Sequence, residues 1–152
     1  MLRRRGLQAI KALLELALAP AAWHSVNDLA RAQELPAPML EQLMLRLRRA
    51  DLVEARRGRH GGYRLQRPAA SIPLAEILRA VEATAAAMAP EPERAAGDPP
   101  EQAAADRVTA ALERRLNQAL ERELARITLE DLLYDLHSAR ALLSEDGGLL
   151  LG

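Results

Sequence analysis

The chain of 152 residues contains no cysteine and no phenylalanine, and it has one tryptophan and two tyrosines. Without cysteine there is no disulfide, no thiolate nucleophile and no sulfur ligand for a zinc ion or an iron–sulfur cluster. Because aromatic residues are so few, we expect an aliphatic core of Leu, Ala, Ile and Val. The length suits one domain, or one small domain with an accessory element.

Long apolar runs are also missing from the chain. None approaches the roughly 20 residues that a membrane-spanning helix requires. The N-terminus is basic, but Lys11 and Glu15 interrupt its apolar residues, which argues against a signal peptide. We therefore expect a cytoplasmic protein that has no membrane partner.

The formal net charge of zero conceals a strong asymmetry. Residues 1–67 hold 13 Lys and Arg against 6 Asp and Glu, whereas residues 68–152 hold 8 against 15. A basic half joined to an acidic half indicates one surface for nucleic acid and another surface for a different task. The alternative is that these charges cluster by accident on solvated faces.

The stretch from 39 to 67 carries the clearest pattern. Its first part is amphipathic and predicts a helix that ends near residue 50. The apolar face of this helix is formed by Leu40, Leu43, Met44 and Leu47. A strand at 52–53, a glycine-containing turn and a returning strand at 63–65 follow, which is typical of a β-hairpin. Because the stretch contains eight arginines, the helix can enter a DNA groove while the hairpin follows the phosphates.

Two shorter helices are predicted before this stretch. Residues 6–19 show an apolar stripe, and Pro20 ends the first helix. The second begins at Ser25, whose hydroxyl can accept from the backbone of Asp28, and Pro38 fits the first turn of the third helix. The three helices predict a helix-turn-helix, and the basic hairpin after them makes it a winged one. Many helical bundles contain such a corner, so the hairpin is the distinguishing feature.

The C-terminal half is predicted to be helical as well. A helix at 74–84 is expected to be capped by Ser71. Thr128 is expected to cap the last helix, and Gly147–Gly148 to end it. The fold is thus expected to be mainly α with one small β-hairpin. Its predicted divisions are a winged helix-turn-helix domain at 1–84, a flexible linker at 85–104, a dimerisation helix at 105–127 and a C-terminal helix with a loose tail at 128–152.

The long helix has an apolar stripe that needs a partner, because a linker separates it from the first domain. A two-fold dimer provides that partner and suits a protein that reads a palindromic site. The alternative is that the helix packs back on its own N-terminal domain. The residues assigned to dimerisation are Val108, Leu112, Leu116, Leu120 and Leu124.

These motifs resemble those of the Rrf2 family of bacterial winged helix-turn-helix transcription regulators. The resemblance is dense over residues 3–84 and thinner over 105–135. The combination of LEQL at 40–43, RGxxGGY at 57–63 and ITLEDL at 127–132 is specific, although each motif alone is weak. The resemblance implies a winged-helix fold and binding to double-stranded DNA.

The resemblance also implies that Glu41, Gln42 and Arg57 contact DNA. In the first turns of a recognition helix, Glu accepts from cytosine N4 and Gln pairs with adenine. The alternative for Glu41 is a carboxylate that stabilises the helix dipole. Arg59 and His60 replace the Pro-Gly of many relatives, which makes the hairpin tip more basic. The expected DNA-binding residues are Glu41, Gln42, Arg46, Arg49, Arg57, Arg59, His60, Arg64, Arg3 and Arg4, the last two with a solubilising role as the alternative.

Several relatives hold an iron–sulfur cluster on three cysteines between the helix after the hairpin and the long helix. This chain has no cysteine, so we expect no Cys-ligated cluster and no cofactor. His24 and His60 are too scattered to indicate a metal site. A site formed by His137 with Asp135 or Glu130 is a weaker interpretation than a solvated histidine.

The leading prediction is a homodimeric, sequence-specific transcription regulator with a palindromic operator and an unspecified small-molecule or protein effector. A second interpretation is a protein-interaction module whose acidic C-terminal half docks a partner and whose DNA affinity is residual. We expect no enzyme. The chain shows no nucleophile–base pair, no phosphate-binding glycine loop before a helix and no paired metal ligands.

Overall fold

A computed structural model of the chain describes residues 3–86 and 100–149. Over these residues the fold is mainly α with one two-stranded antiparallel sheet, as predicted. None of the helices in this part of the chain combines the length and the apolar character needed to cross a membrane. In chain order the elements are α1 (Arg4–Leu18), α2 (Val26–Gln33), α3 (Ala37–Arg49), β1 (Val53–Arg56), β2 (Gly62–Leu65), a 3₁₀ turn (Ala69–Ser71), α4 (Leu74–Ala86), α5 (Pro100–Arg126) and α6 (Leu129–Leu149).

The helix-turn-helix consists of α2 and α3, and the local sequence sets each end of the turn. The Asp28 N–H donates to the Ser25 Oγ over 3.1 Å, which confirms the predicted cap of α2. Glu34 follows the end of α2, and its φ of 53° places it in the left-handed region. Pro36 precedes α3, and Pro38 lies in its first turn, where the missing N–H costs no hydrogen bond. The connection is therefore short and sets the direction of α3.

The core around these helices is aliphatic, as the composition predicts. Leu13 and Leu16 of α1 are fully buried, and so is Ile77 of α4. The buried face of α3 is the predicted one, with Leu40, Leu43, Met44 and Leu47. Because full burial of one such side chain contributes about 1.5–3 kcal/mol, this packing fixes the rotation of α3. It thereby decides which side chains of α3 stay outside.

The wing is the hairpin formed by β1 and β2 together with the turn between them. Val53 and Leu65 pair at its base and are both buried, so one face of the wing closes over the core. A third segment extends this sheet, because His24 and Tyr63 exchange N–H···O hydrogen bonds of 2.9 and 2.8 Å. The chain between α1 and α2 is thus held against β2.

The start of α4 is bonded to the junction between α5 and α6. The Leu74 N–H donates to the Ile127 carbonyl over 2.9 Å, and the Leu129 N–H donates to the Ile72 carbonyl over 2.8 Å. Leu129 is fully buried within the same hydrophobic core as α1 and α3. The end of α5 and the start of α6 therefore pack together with the winged domain.

The two caps predicted for the later helices have different outcomes. Thr128 caps α6, because the Asp131 N–H donates to its Oγ1 over 3.2 Å and its own N–H donates to the Asp131 carboxylate over 2.9 Å. Ser71 does not cap α4. Its Oγ donates to the Pro68 carbonyl over 2.8 Å inside the 3₁₀ turn, and α4 begins only at Leu74. The prediction overlooked this turn.

The long helices extend further than predicted. α5 begins at Pro100. A proline is tolerated at this position, since the first residue of a helix needs no N–H for a hydrogen bond within the helix. α6 continues through Gly147 and Gly148, so the prediction that these glycines end it is wrong. A glycine inside a helix costs only about 1 kcal/mol relative to Ala, which its neighbours can offset. Most of the predicted linker at 85–104 and the tail after 149 lie outside the described residues, and the domain boundaries there stay predictions.

Candidate nucleic-acid interface

The outer face of α3 carries the first group of predicted DNA-binding residues. Glu41 and Gln42 are exposed in the second turn of the helix, directly beside the buried Leu40 and Leu43. Arg49, the last residue of α3, is exposed too. The short carboxylate and amide side chains near the start of α3 are of the kind that can hydrogen-bond to base edges in a major groove.

The turn of the wing presents the second group. Arg57, Arg59 and His60 are all exposed. Gly58 has a φ of 112°, a left-handed conformation that favours glycine, and its carbonyl accepts from the Gly61 N–H over 3.0 Å. The turn is therefore closed by a backbone hydrogen bond, and its three basic side chains lie in solvent. This arrangement matches what phosphate contact requires.

Two other residues predicted to contact DNA already have partners within the domain. Arg46 donates from Nη1 to the Val81 carbonyl over 2.8 Å and so ties α3 to α4. Arg64 forms an ion pair with the carboxylate of Glu54 on the opposite strand. Each guanidinium group has one partner within the fold and further N–H groups that could donate elsewhere. A contact of Arg46 or Arg64 with DNA stays a prediction.

The N-terminal arginines lie at the start of α1. Arg3 and Arg4 are exposed. The backbone N–H of Arg3 donates to the Glu82 carboxylate over 3.2 Å, which fixes the start of α1 to α4. A contact of these two side chains with DNA stays a prediction.

Two residues near the wing are absent from the sequence-based prediction. The Trp23 ring centroid lies 4.3 Å from Cζ of Arg64 and 5.7 Å from Cζ of Arg56. Arg56 is exposed at the end of β1, immediately before Arg57. One signal could have drawn attention to this region, since Trp23 is the single tryptophan of the chain. Its proximity to the wing depends on the pairing of His24 with β2, which no local pattern indicates.

The residues assigned to dimerisation fall into two groups. Val108, Leu112 and Leu116 form an exposed stripe on α5, with exposed fractions of 70%, 52% and 61%. Leu124 is only 9% exposed, and Leu120 packs against the same core of its own chain. The end of α5 therefore follows the alternative in which the helix packs on its own domain. Of the five assigned residues, Val108, Leu112 and Leu116 remain available to a second subunit.

The fold and these two exposed groups define a winged-helix protein with a basic wing. The sequence profile of the Rrf2 family, described as an iron-dependent transcriptional regulator, matches residues 2–135. The match covers most of the chain, so the chain belongs to the Rrf2 family. The resemblance carried by the LEQL and RGxxGGY motifs is thereby confirmed.

Known proteins of this kind are regulators. The chain is similar to the HTH-type transcriptional regulator IscR of Cereibacter sphaeroides, with 48% identity over 90 residues that cover 57% of this chain and 58% of the relative. It is also similar to IscR of Escherichia coli, with 38% identity over 82 residues that cover 53% and 51% of the two chains. The chain thus spans a little over half the length of these curated relatives. Both relatives are named as transcriptional regulators.

Solved structures show the same fold over most of the chain. IscR of T. potens superimposes with a TM-score of 0.68 and 28% identity, over 91% of this chain and 90% of that chain. CymR, the global cysteine regulator of B. subtilis, has a TM-score of 0.65 and 27% identity, over 88% and 96% of the two chains. The winged-helix architecture of this chain is thus shared with both proteins.

The family description names iron, yet the part of the chain that the structure describes brings together no residues that fit an iron site. The sequence offers no cysteine. Within 3–86 and 100–149, no three His, Asp or Glu side chains gather closely enough to hold a metal ion. The candidate set of Glu130, Asp135 and His137 is exposed along α6.

Proposed function

We propose that this chain is a transcription regulator that binds double-stranded DNA at a palindromic operator as a homodimer. The observation that carries the proposal is the position of Glu41 and Gln42. Both are exposed on a helix whose opposite face is locked into the core, with a basic turn on the same domain. Winged-helix proteins place such a helix in the major groove.

Sequence recognition is assigned to α3. The carboxylate of Glu41 accepts a hydrogen bond from the N4 amino group of a cytosine, and the amide of Gln42 pairs with the N6 and N7 atoms of an adenine. Rigid packing beneath these two side chains supports this role, because discrimination between bases requires fixed donors and acceptors. In the alternative, the Glu41 carboxylate only stabilises the helix dipole. The fold is then the same, but Glu41 gives no preference for a particular base.

Affinity is assigned to the wing. Arg57, Arg59 and His60 follow the phosphates beside the groove, where arginine forms charge-assisted hydrogen bonds with phosphate oxygens. Arg49 at the end of α3 adds a further positive charge. Because such contacts release counterions, binding is expected to weaken steeply as the salt concentration rises.

The dimer is assigned to the exposed stripe of α5. Three large apolar side chains at successive turns of one helix face are unfavourable in water. A two-fold partner covers them and places a second α3 for the other half of a palindrome. A small molecule or protein would then act as effector on this assembly, in the bacterial cytoplasm where the chromosome lies.

A binding titration against the upstream region of the chain's own gene tests this function. The Arg57→Ala variant should reduce the slope of log affinity against log salt by about 0.9 for each phosphate that it no longer neutralises. The Glu41→Ala variant should cost about 1–3 kcal/mol at one base position and little on other sequences. Arg140→Ala, an exposed arginine on α6, is the matched control and should bind like the unmodified protein.

The pattern of effects separates the candidate functions. If Arg57→Ala and Arg140→Ala bind with the same affinity and salt slope, Arg57 does not contact DNA. If the unmodified protein binds every sequence equally, the interaction-module interpretation is favoured, because only the electrostatic part of binding is then present.

A further inference from the structure

The outward face of the wing carries a cluster that the DNA-binding role of the turn does not use. Strand register places Glu54 opposite Arg64 and Arg56 opposite Gly62. Alternate residues of a strand share a face, so Glu54, Arg56 and Arg64 all lie on the side away from the buried Val53. The Trp23 ring lies against this side, within the roughly 6 Å of both guanidinium groups at which cation–π attraction acts.

The backbone fixes the position of this ring. A side chain at Gly62 would overlap the carbonyl oxygen of His24, so the glycine is what lets the α1–α2 connection approach the wing. The hydrogen bonds between His24 and Tyr63 then hold that connection in place. Trp23 is the neighbour of His24, so these main-chain bonds set the point from which its side chain extends.

The two arginines over the ring differ in what else they contact. The Arg64 guanidinium is bound to the carboxylate of Glu54. Arg56 is exposed and, among the described residues, forms no ion pair. Stacking uses only the flat face of a guanidinium and leaves its N–H groups, which lie in the plane, free to donate. Arg56 thus has donors for a further ligand beside the turn of the wing.

We propose that Trp23 is a positioning residue that holds Arg56 on the outer face of the wing, where the guanidinium contacts a DNA phosphate next to that of Arg57. This inference rests on the proposed function. An unrestrained arginine loses rotamer freedom when it binds, and a stacked one has given up part of that freedom beforehand. The aromatic ring therefore raises affinity without touching DNA.

A double-mutant cycle on a random-sequence duplex at low salt tests the inference, since phosphate contacts do not depend on the operator. Arg56→Gln should lower the salt slope by about 0.9 for each phosphate that it no longer neutralises. Trp23→Leu should weaken binding about two- to five-fold, the equivalent of an exposed cation–π contact. Trp23→Phe, which keeps an aromatic face, should retain most of the affinity. In the Arg56→Gln background, Trp23→Leu should have no further effect.

Two outcomes would contradict the positioning role of Trp23, and a third would contradict the proposed function as well. If Trp23→Leu weakens the Arg56→Gln variant as much as the unmodified protein, Trp23 acts only through the fold. An unchanged salt slope in Arg56→Gln removes the phosphate contact. If Arg57→Ala still lowers affinity in that case, the proposed function stands and only the role of Trp23 and Arg56 is rejected. Absence of any binding by the unmodified protein would remove both.

The stacking itself is testable without DNA, because all tryptophan fluorescence of the protein comes from Trp23. Acrylamide quenching of this emission should increase in Arg56→Gln and more strongly in Arg64→Ala, whose guanidinium lies nearer the ring. Arg140→Ala should leave quenching unchanged. Equal quenching in all four proteins would show that no arginine covers the ring, and the inference would fail.

Discussion

Single residues determine how the wing is built, and Gly62 is the clearest case. Its φ of 143° and the nearby His24 carbonyl each exclude a side chain. Gly58 has a φ of 112° as well, but nothing lies within 4 Å of the place where its Cβ would be. These two glycines of the wing therefore differ in physical role, since Gly58 supplies conformation alone while Gly62 supplies conformation and close approach.

The Gly62→Ala variant is expected to lose about 2–4 kcal/mol of folding free energy, from backbone strain together with the weakened His24–Tyr63 hydrogen bonds. Gly58→Ala is the matched control and should lose only the strain, about 1–2 kcal/mol. Urea unfolding followed by circular dichroism measures both values. Equal losses in the two variants would mean that the α1–α2 connection does not need to approach the wing so closely.

At the scale of helices and strands, the residues that cap the helices show which local features can be predicted from the sequence alone. The sequence predicts Ser25 and Thr128 as caps, and each accepts from the N–H three residues later. The apolar spacing of α3 is sufficient to predict its buried face. Ser71 follows the same rule and fails, because a 3₁₀ turn lies between it and α4. Short turns leave little periodicity, so sequence patterns rarely reveal them.

Other features of the site depend on contacts between distant residues. The contact between Trp23 and the wing follows from pairing across the sheet, and Arg46 is engaged by a carbonyl of α4. Arg46 and Arg49 look equivalent in the sequence, yet only Arg49 remains exposed. The presence of arginines on α3 is thus readable from the sequence, whereas their availability to DNA is not.

The contribution of the helix caps to stability can be tested by substitution. Ser25→Ala and Thr128→Ala should each lower the free energy of unfolding by about 1 kcal/mol, because one N–H at the helix start loses its acceptor. Ser71→Ala removes an exposed bond inside the 3₁₀ turn and should change stability by under about 0.5 kcal/mol. Chemical denaturation of the three variants compares them. A loss in Ser71→Ala equal to the other two would contradict the assignment.

At the scale of the whole molecule, the chain contains no cysteine, although its family is described as an iron-dependent transcriptional regulator. Protein purified without added metal is expected to show no absorption band in the visible range and no bound iron. Absorption spectroscopy and iron analysis of the same preparation measure this. A visible band that bleaches on reduction would show that nitrogen and oxygen ligands suffice, and Glu130, Asp135 and His137 would then be the first residues to substitute.

The apolar side chains along α5 lie in two different environments. The spacing of these residues in the sequence does not distinguish the exposed positions from the buried ones. Leu112 and Leu124 obey the same helical spacing, but the first is 52% exposed and the second is 9% exposed. Near its end α5 is also linked to α4 by the ion pair between Arg79 and Glu121. Since both ends of the stripe satisfy one pattern, only packing distinguishes the part that stabilises the subunit from the part left for a partner.

Because Leu112 is exposed and Leu124 is buried, we expect similar substitutions at the two positions to have different effects. Leu112→Glu places a charge in the proposed dimer interface, so sedimentation should show a monomer with unchanged helical content. Its operator affinity should fall by about a hundred-fold or more, because the two half-sites are no longer bound together. Leu124→Glu buries the charge inside the subunit and should lower its folding stability instead. Leu143→Glu, on an exposed position of α6, is the control. A monomeric unmodified protein, or a Leu112→Glu variant that still sediments as a dimer, would show that the exposed stripe has another partner.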